Sequence, residues 1–291
     1  MDIIKPNVTL VHNDGLIETC LPIIARAARI CYASSKKENE EGLLRFLINA
    51  NHVSPFAHGI IYIPMVALNN LKIDRFETKV FNYCLKSKYT LVVDCYGSII
   101  AVINCRTLLE GVMANKTPQE DTYELFMNML DFSEGLIYRT MQSDKEFRFV
   151  SVEVDTCLAV GRELERHIGN IFYYNEQSTR YCNFSKDKFG NSVKYCEPYW
   201  YAEAAQNNPE KTKAWQQDCI NNETIYFRRL KDGWSLDEAR KILSLETHTK
   251  IIITASMIAW NHFFDLRKNE STGKVDPDML VTANMIYDAI N

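Results

Sequence analysis

Residues 89–95, YTLVVDC, and 98–104, SIIAVIN, are two β-branched runs separated only by Tyr96-Gly97. Val, Ile and Thr are stiff side chains that pack well on a pleated surface, and so short a connection joins the two runs as an antiparallel hairpin. A third such run, FRFVSVEVDT at 147–156, reads as a further strand. A strand needs neighbours for its backbone groups and a cover for its apolar face. The chain is therefore expected to build a central antiparallel sheet with helices packed on it.

Those helices are legible in several places. LPIIARAARICYAS at 21–34 is alanine-rich and apolar on most faces, as a buried helix is. EEGLLRFLINAN at 40–51 has apolar pairs at helical spacing and stops before HVSPFAHG, where proline forces a break. Thr117-Pro118-Gln119-Glu120 has the form of a capping box with proline at the first helical position, and predicts a helix to about Met141. LAVGRELERHIG predicts a helix after the strand at 147–156, and Ser235-Leu236-Asp237-Glu238 is a second capping box. THTKIIITASMIAWNHFFDLR at 247–267 has the length of a central helix, and Asp276-Pro277 opens a terminal one. Strand and turn signals at the start, with Asn13-Asp14-Gly15 as the turn, complete an α+β reading: one mixed α/β domain over 1–291, with a hairpin–helix segment at about 88–141 inserted in it.

Composition narrows the classes. A net charge of -4 carries no electrostatic footprint for a nucleic-acid polymer, although a small anion needs only a few placed arginines. Nine cysteines, scattered and without a Cys-x-x-Cys pair, fit a reducing cytoplasm better than a disulfide scaffold. The start lacks the apolar run of a signal peptide, and apolar stretches stop short of the ~18 residues of a membrane span. A cytoplasmic protein with no membrane contact is expected.

The most informative polar stretch is NEQSTRYC at 175–182, expected to follow a helix. A serine and an arginine two residues apart can share one phosphate, and the same composition also makes an ordinary solvated loop. Arg240 lies on the helix opened by the second capping box, and Arg267 closes the 247–267 segment. An arginine there can serve a ligand or simply satisfy helix-end carbonyls. His52 and His58 in HVSPFAHG have no companion carboxylate or cysteine set, so no metal site is expected. Cys182 and Cys196 read as structural thiols, and no Gly-x-Gly-x-x-Gly, P-loop or Ser-His-Asp pattern is present.

Taken in order, four segments resemble the flavin-dependent thymidylate synthases: ARAARICYAS, HVSPFAHG, NEQSTRYCNFSKDKFGN, and EARKIL with ITASMIAWNHFFDLR. The resemblance runs from about residue 20 to 267. It implies reductive methylation of dUMP to dTMP, with FAD as cofactor, NADPH and methylenetetrahydrofolate as co-substrates, and a homotetramer with sites shared between subunits. Carried over by position, Ser178 and Arg180 bind the dUMP phosphate, with Glu176, Gln177 and Thr179 in the same loop. Glu163, Arg166 and Arg240 complete the nucleotide set. Arg267 is the catalytic group, a fixed cation at the uracil edge that favours the ionised base. Ser54, Arg166, His167, Glu176, Ser256 and His262 fall at the flavin.

The flavin side departs from the family pattern. Counted back from Ser178, the signature Arg-His-Arg falls on Ile168, Gly169 and Asn170, while an Arg166-His167 pair lies two residues upstream. Two residues within a helix rotate a side chain by about 200°, so the offset must be absorbed in a loop. Ala57 replaces a glutamate, Ser256 and Ile258 replace asparagine and arginine, and Tyr173 stands where a small residue is usual. The alternatives are a relative acting on another pyrimidine nucleotide, or a non-catalytic nucleotide-binding paralogue.

Overall fold

The computed structural model describes residues 1–11, 17–34, 39–72, 75–95, 97–136, 147–167 and 172–291. The expected turn at Asn13-Asp14-Gly15, the turn residue Tyr96, the end of the helix to Met141 and the displaced positions Ile168, Gly169 and Asn170 lie outside them.

The chain opens with β1 (Asp2–Ile4), β2 (Asn7–Val11), α1 (Ile17–Tyr32) and α2 (Glu40–Asn49). A 3₁₀ turn at Ser54–His58 leads to β3 (Ile60–Pro64), α3 (Met65–Asn69), α4 (Phe76–Lys86), β4 (Leu91–Cys95), β5 (Ser98–Asn104), α5 (Cys105–Asn115) and α6 (Thr122–Glu134). Next come β6 (Phe149–Cys157), α7 (Leu158–Leu164), β7 (Phe172–Glu176), β8 (Lys194–Cys196), α8 (Tyr201–Asn207) and α9 (Pro209–Lys231). The chain finishes with α10 (Leu236–Ala239), β9 (His248–Ser256), α11 (Met257–Arg267) and α12 (Pro277–Ile290).

The expected antiparallel sheet is present in the order β2-β6-β9-β7. The β4–β5 hairpin forms as read, with Gly97 at φ +85, the left-handed region that glycine enters without penalty. It does not stand alone: β5 pairs with β3 on its other edge, giving the sheet β3-β5-β4. A short parallel pair joins β1 to β8.

The largest correction concerns 247–267. His248–Ser256 is a strand, and only Met257–Arg267 is helical. Thr249, Ile251, Ile252, Ile253 and Thr254 are β-branched, and the strand is covered on both faces. Ile251, Ile253 and Ala255 pack with α7, α11 and α12, whereas Ile252 packs with Ile23, Ala27 and Ile30 of α1. A strand buried on both sides reads as a continuous apolar run, which periodicity alone cannot tell from a buried helix. The Ser256 hydroxyl then accepts from the Ala259 amide at 3.3 Å and starts α11.

A second correction falls on Thr117–Glu120. The Glu120 carboxylate does accept from the Thr117 amide at 2.6 Å, but these residues form a turn. The helix starts later, where Asp121 accepts from the amides of Tyr123 and Glu124 at 2.8 and 3.1 Å. The Ser235–Glu238 box and the Asp276 cap are as read. Under the sheet, Trp260 is fully buried and donates its indole N–H to the Val150 carbonyl at 3.1 Å.

Candidate nucleotide site

The polar stretch at 175–182 follows strand β7, not a helix, and this decides where its side chains go. Successive residues of a strand face opposite sides of the sheet. Asn175, opposite Ile252, therefore points to the α1 side, and Glu176, opposite Ile251, points to the α7 side. Beyond the strand, the Gln177 amide donates to the Lys250 carbonyl at 2.8 Å and the Ser178 amide to the Cys31 carbonyl at 3.1 Å. Ser178 is thus pinned between β9 and the end of α1, and it lines a cleft on each side.

On the α7 side, Leu158, Arg162, Glu176, Gln177, Ser178, Thr179 and Arg240 line a cleft of about 360 Å³. Arg240 comes from the turn after α10, and its Nη1 donates to the Thr179 hydroxyl at 3.1 Å. The Asp237 carboxylate lies 3.4 Å from the Nε of both Arg180 and Arg240, so one acid steadies two guanidinium groups. Both pairs are well exposed and therefore screened by salt. Glu176 accepts from the Thr249 hydroxyl at 2.9 Å. Burial pushes its carboxyl up to about 7, Thr249 opposing and Glu165 adding to the rise. Gly161 of α7 makes room for it, since a Cβ there would lie 2.9 Å from Glu176 Oε1.

On the α1 side, a second cleft of about 390 Å³ is lined by Cys31, Tyr32, His52, Ser54, Arg106 and Tyr181, among others. Tyr32 lies near-parallel to His52, with ring centroids 6.2 Å apart, and 5.2 Å from Tyr181. Behind this wall runs a buried polar chain. Ser151 and Thr254 hydroxyls meet at 2.6 Å, Thr254 donates to His58 Nδ1 at 2.8 Å, and His58 Nε2 donates to Asn175 Oδ1 at 3.0 Å. Asn175 Nδ2 in turn donates to Cys31 Sγ at 2.9 Å and Ser54 Oγ at 3.4 Å. Burial lowers His58 to about 4, so its ring is neutral and can accept on one side while donating on the other.

Arg267 lies in neither cleft lining. Its Nε donates to His167 Nε2 at 2.9 Å and its Nη1 lies 3.4 Å from the Glu163 carboxylate. Burial, with Arg267 and His262 adding to it, lowers His167 to about 4. His167 is therefore a neutral acceptor, held edge-on to Phe263 at 5.0 Å. Arg166 and His262 are exposed, and the Ser256 hydroxyl is taken by its helix cap.

The structure thus brings Glu176, Gln177, Ser178, Thr179 and Arg240 into one cleft and places Arg180 beside it through Asp237. Ser54 belongs to the neighbouring cleft, and Glu163, His167 and Arg267 form a third group. Cys182 and Cys196 are buried, with burial raising both thiols, as expected of structural cysteines. Sequence reasoning gave no role to Arg162 or Thr249, and none to Asn175 beyond its place in the NEQSTRYC stretch. The signal for Arg162 was present, because it stands four residues after Leu158 on one face of a helix. The α1-side cleft thus has aromatic walls and the Ser54 hydroxyl, and Arg166 and His262 are exposed.

A family model described as thymidylate synthase complementing protein matches residues 95–275. Among curated proteins, a probable flavin-dependent thymidylate synthase of Paramecium bursaria Chlorella virus 1 is 22% identical over 147 residues, covering 49% of this chain and 67% of that protein. Flavin-dependent thymidylate synthases of Thermococcus onnurineus and Synechocystis are 28% and 24% identical, covering 44% and 47% of this chain. The matches span 50% and 65% of those two proteins' own lengths. Structures of a UMP/dUMP methylase, PolB from Streptomyces cacaoi, with 5-Br dUMP and 5-Br UMP align over 99% of this chain and 91% and 90% of theirs, at 15% and 14% identity and TM-scores of 0.44 and 0.45. The family match covers most of the chain, including β6, α7, β7 and the loop beyond it, β9 and α11, and on that ground the chain belongs to the thymidylate synthase complementing proteins, the flavin-dependent thymidylate synthases.

Proposed function

We propose that this protein is a flavin-dependent thymidylate synthase, converting dUMP to dTMP with methylenetetrahydrofolate and NADPH through FAD. The observation that carries the reading is the α7-side cleft, where Ser178, Thr179 and Arg240 converge beside a carboxyl held by Thr249. A hydroxyl pair and a guanidinium suit a phosphate monoester, with Arg180 adding a second cation from the rim. Glu176 sits deeper, where a neutral or shared proton lets it bond a sugar hydroxyl as donor or acceptor.

By the resemblance, Ser54, Arg166 and His262 would hold FAD, in a site built from more than one copy of the chain. When bound, it supplies the reducing equivalents that turn the transferred methylene into a methyl group. His167, neutral and fixed by Arg267, would present a polar edge without charge. Arg267 would serve the uracil edge, favouring negative charge that develops on N3 and O4. Arg267 lines neither cleft of its own chain, and with the resemblance to the family we infer a homotetramer in which one copy's Arg267 faces another copy's cleft. The balance of the reaction is dUMP, methylenetetrahydrofolate, NADPH and a proton giving dTMP, tetrahydrofolate and NADP⁺.

The test is a visible spectrum of the purified protein before and after addition of FAD and dUMP, followed by an assay for dTMP. A retained flavin band with dTMP formed is the expected result. Flavin retained without turnover of dUMP would assign the protein to another pyrimidine nucleotide. A colourless protein that still binds dUMP would be a non-catalytic relative.

A further inference from the structure

Arg162 of α7 lines the phosphate cleft and also the adjoining one of about 350 Å³, and in both it is accompanied by Leu158, Thr179 and Arg240. The helix that carries it is fixed at its start: the Leu158 amide donates to the Thr247 carbonyl at 2.9 Å and the Ala159 amide to the Leu245 carbonyl at 3.1 Å. Leu158 and Arg162, one turn apart, therefore face the cleft together. Among the described residues no carboxylate lies within ion-pairing distance of Arg162. Glu163, its neighbour in sequence, is turned to Arg267, Glu176 is bonded to Thr249, and Glu165 feels Arg162 only electrostatically, without an ion pair.

We propose that Arg162 is a second guanidinium ligand of the nucleotide phosphate, reaching it from α7 while Arg240 reaches it from the turn after α10. The assignment rests on the reading of this cleft as the nucleotide site. A guanidinium stays charged at any working pH. With Arg180 on the rim, three guanidinium groups share Asp237 as their only ion-paired carboxylate among the described residues, so a dianionic phosphate gains from this cleft what a neutral nucleoside does not. Glu176, bonded to Thr249 and with its charged form disfavoured chiefly by burial, feels Arg162 electrostatically but forms no ion pair with it. The two arginines come from different elements, so a phosphate held by both also ties α7 to the segment after α10. Arg180 and Arg162 are both exposed, but Arg180 is already paired with Asp237 while Arg162 has no ion pair among the described residues.

The experiment is calorimetric titration of the full chain, with FAD present, with dUMP and separately with deoxyuridine. Wild type is compared with Arg162→Ala, Arg162→Lys, Arg240→Ala and Lys241→Ala. Lys241 lines only the adjoining cleft and controls for loss of one positive charge. Arg162→Ala is expected to weaken dUMP about tenfold or more, as loss of a charge-assisted contact does. Deoxyuridine affinity stays unchanged, Arg162→Lys recovers part of the loss, and Lys241→Ala changes little. If Arg162→Ala binds dUMP within about twofold of wild type while Arg240→Ala does not, Arg162 has no phosphate role and the site reading stands. Equal loss for dUMP and deoxyuridine also overturns the assignment, since the contact is then not with phosphate. A wild-type chain that binds no dUMP refutes the nucleotide site itself and this assignment with it.

Discussion

Replacing Glu176 by glutamine removes a titratable group and keeps an oxygen that can accept the Thr249 hydroxyl. In the folded chain this carboxyl titrates at about 7 rather than its ordinary 4.5, chiefly because burial disfavours the charged form. Between those values the folded state holds a proton that the unfolded state has released. Stability must then fall as pH rises, and the whole loss is in place above the folded value. At 1.36 kcal/mol per pKa unit, the interval from 4.5 to about 7 corresponds to about 3 kcal/mol. Glu176→Gln should therefore be more stable than wild type by up to about 3 kcal/mol at pH 8, and by much less at pH 5. Urea unfolding of both proteins at the two pH values measures the difference directly. Other raised carboxyls, such as Glu246 and Asp278, affect both proteins alike and cancel. A gap that stays constant from pH 5 to pH 8 would show that Glu176 ionises normally and would refute the argument from burial.

Arg267→Ala should abolish dTMP formation and cost about 1–3 kcal/mol of stability, because it leaves the buried His167 Nε2 without its donor; normal turnover in the variant would remove Arg267 from the chemistry. His58→Phe orphans Asn175 Oδ1 and removes the acceptor of the Thr254 hydroxyl, so urea melts should show a loss of about 1–3 kcal/mol. Undiminished stability there would mean the buried polar chain contributes nothing. Gly161→Ala in an open helix would gain up to about 1 kcal/mol. Here the added Cβ meets Glu176 Oε1 at 2.9 Å, so the carboxyl must move off the Thr249 hydroxyl; melting should show less than that gain and dUMP titration weaker binding. A stabilised variant with wild-type affinity would contradict that packing.

Local signals carried much of the fold. The β4–β5 hairpin, the helices at 17–32 and 40–49 and the Asp276 cap follow from contacts between residues close in sequence, and each was legible. The strand at 248–256 was not, because Ile251, Ile252 and Ile253 are all buried and only the two layers that cover them make alternate residues distinct. Glu120 shows the converse: its carboxylate bonds Thr117 as a capping box would, yet Asp121 takes the helix start.

For the candidate site, the sequence by itself offered the candidates: the Glu176–Arg180 stretch, Arg240 and Arg267, from residue type and the family resemblance. Which of them act together was decided by tertiary structure. Alternation along β7 sends Asn175 and Glu176 to opposite sides of the sheet, and Ser178 is held between two clefts by the backbones of β9 and α1. Arg162, unremarkable as a letter in LAVGRELERHIG, becomes a neighbour of Arg240 because α7 is anchored to the segment before β9. Arg267 turns instead to Glu163 and His167. A strand's two faces and a helix's orientation are fixed by distant partners, and that is why proximity in this site could not be read from spacing.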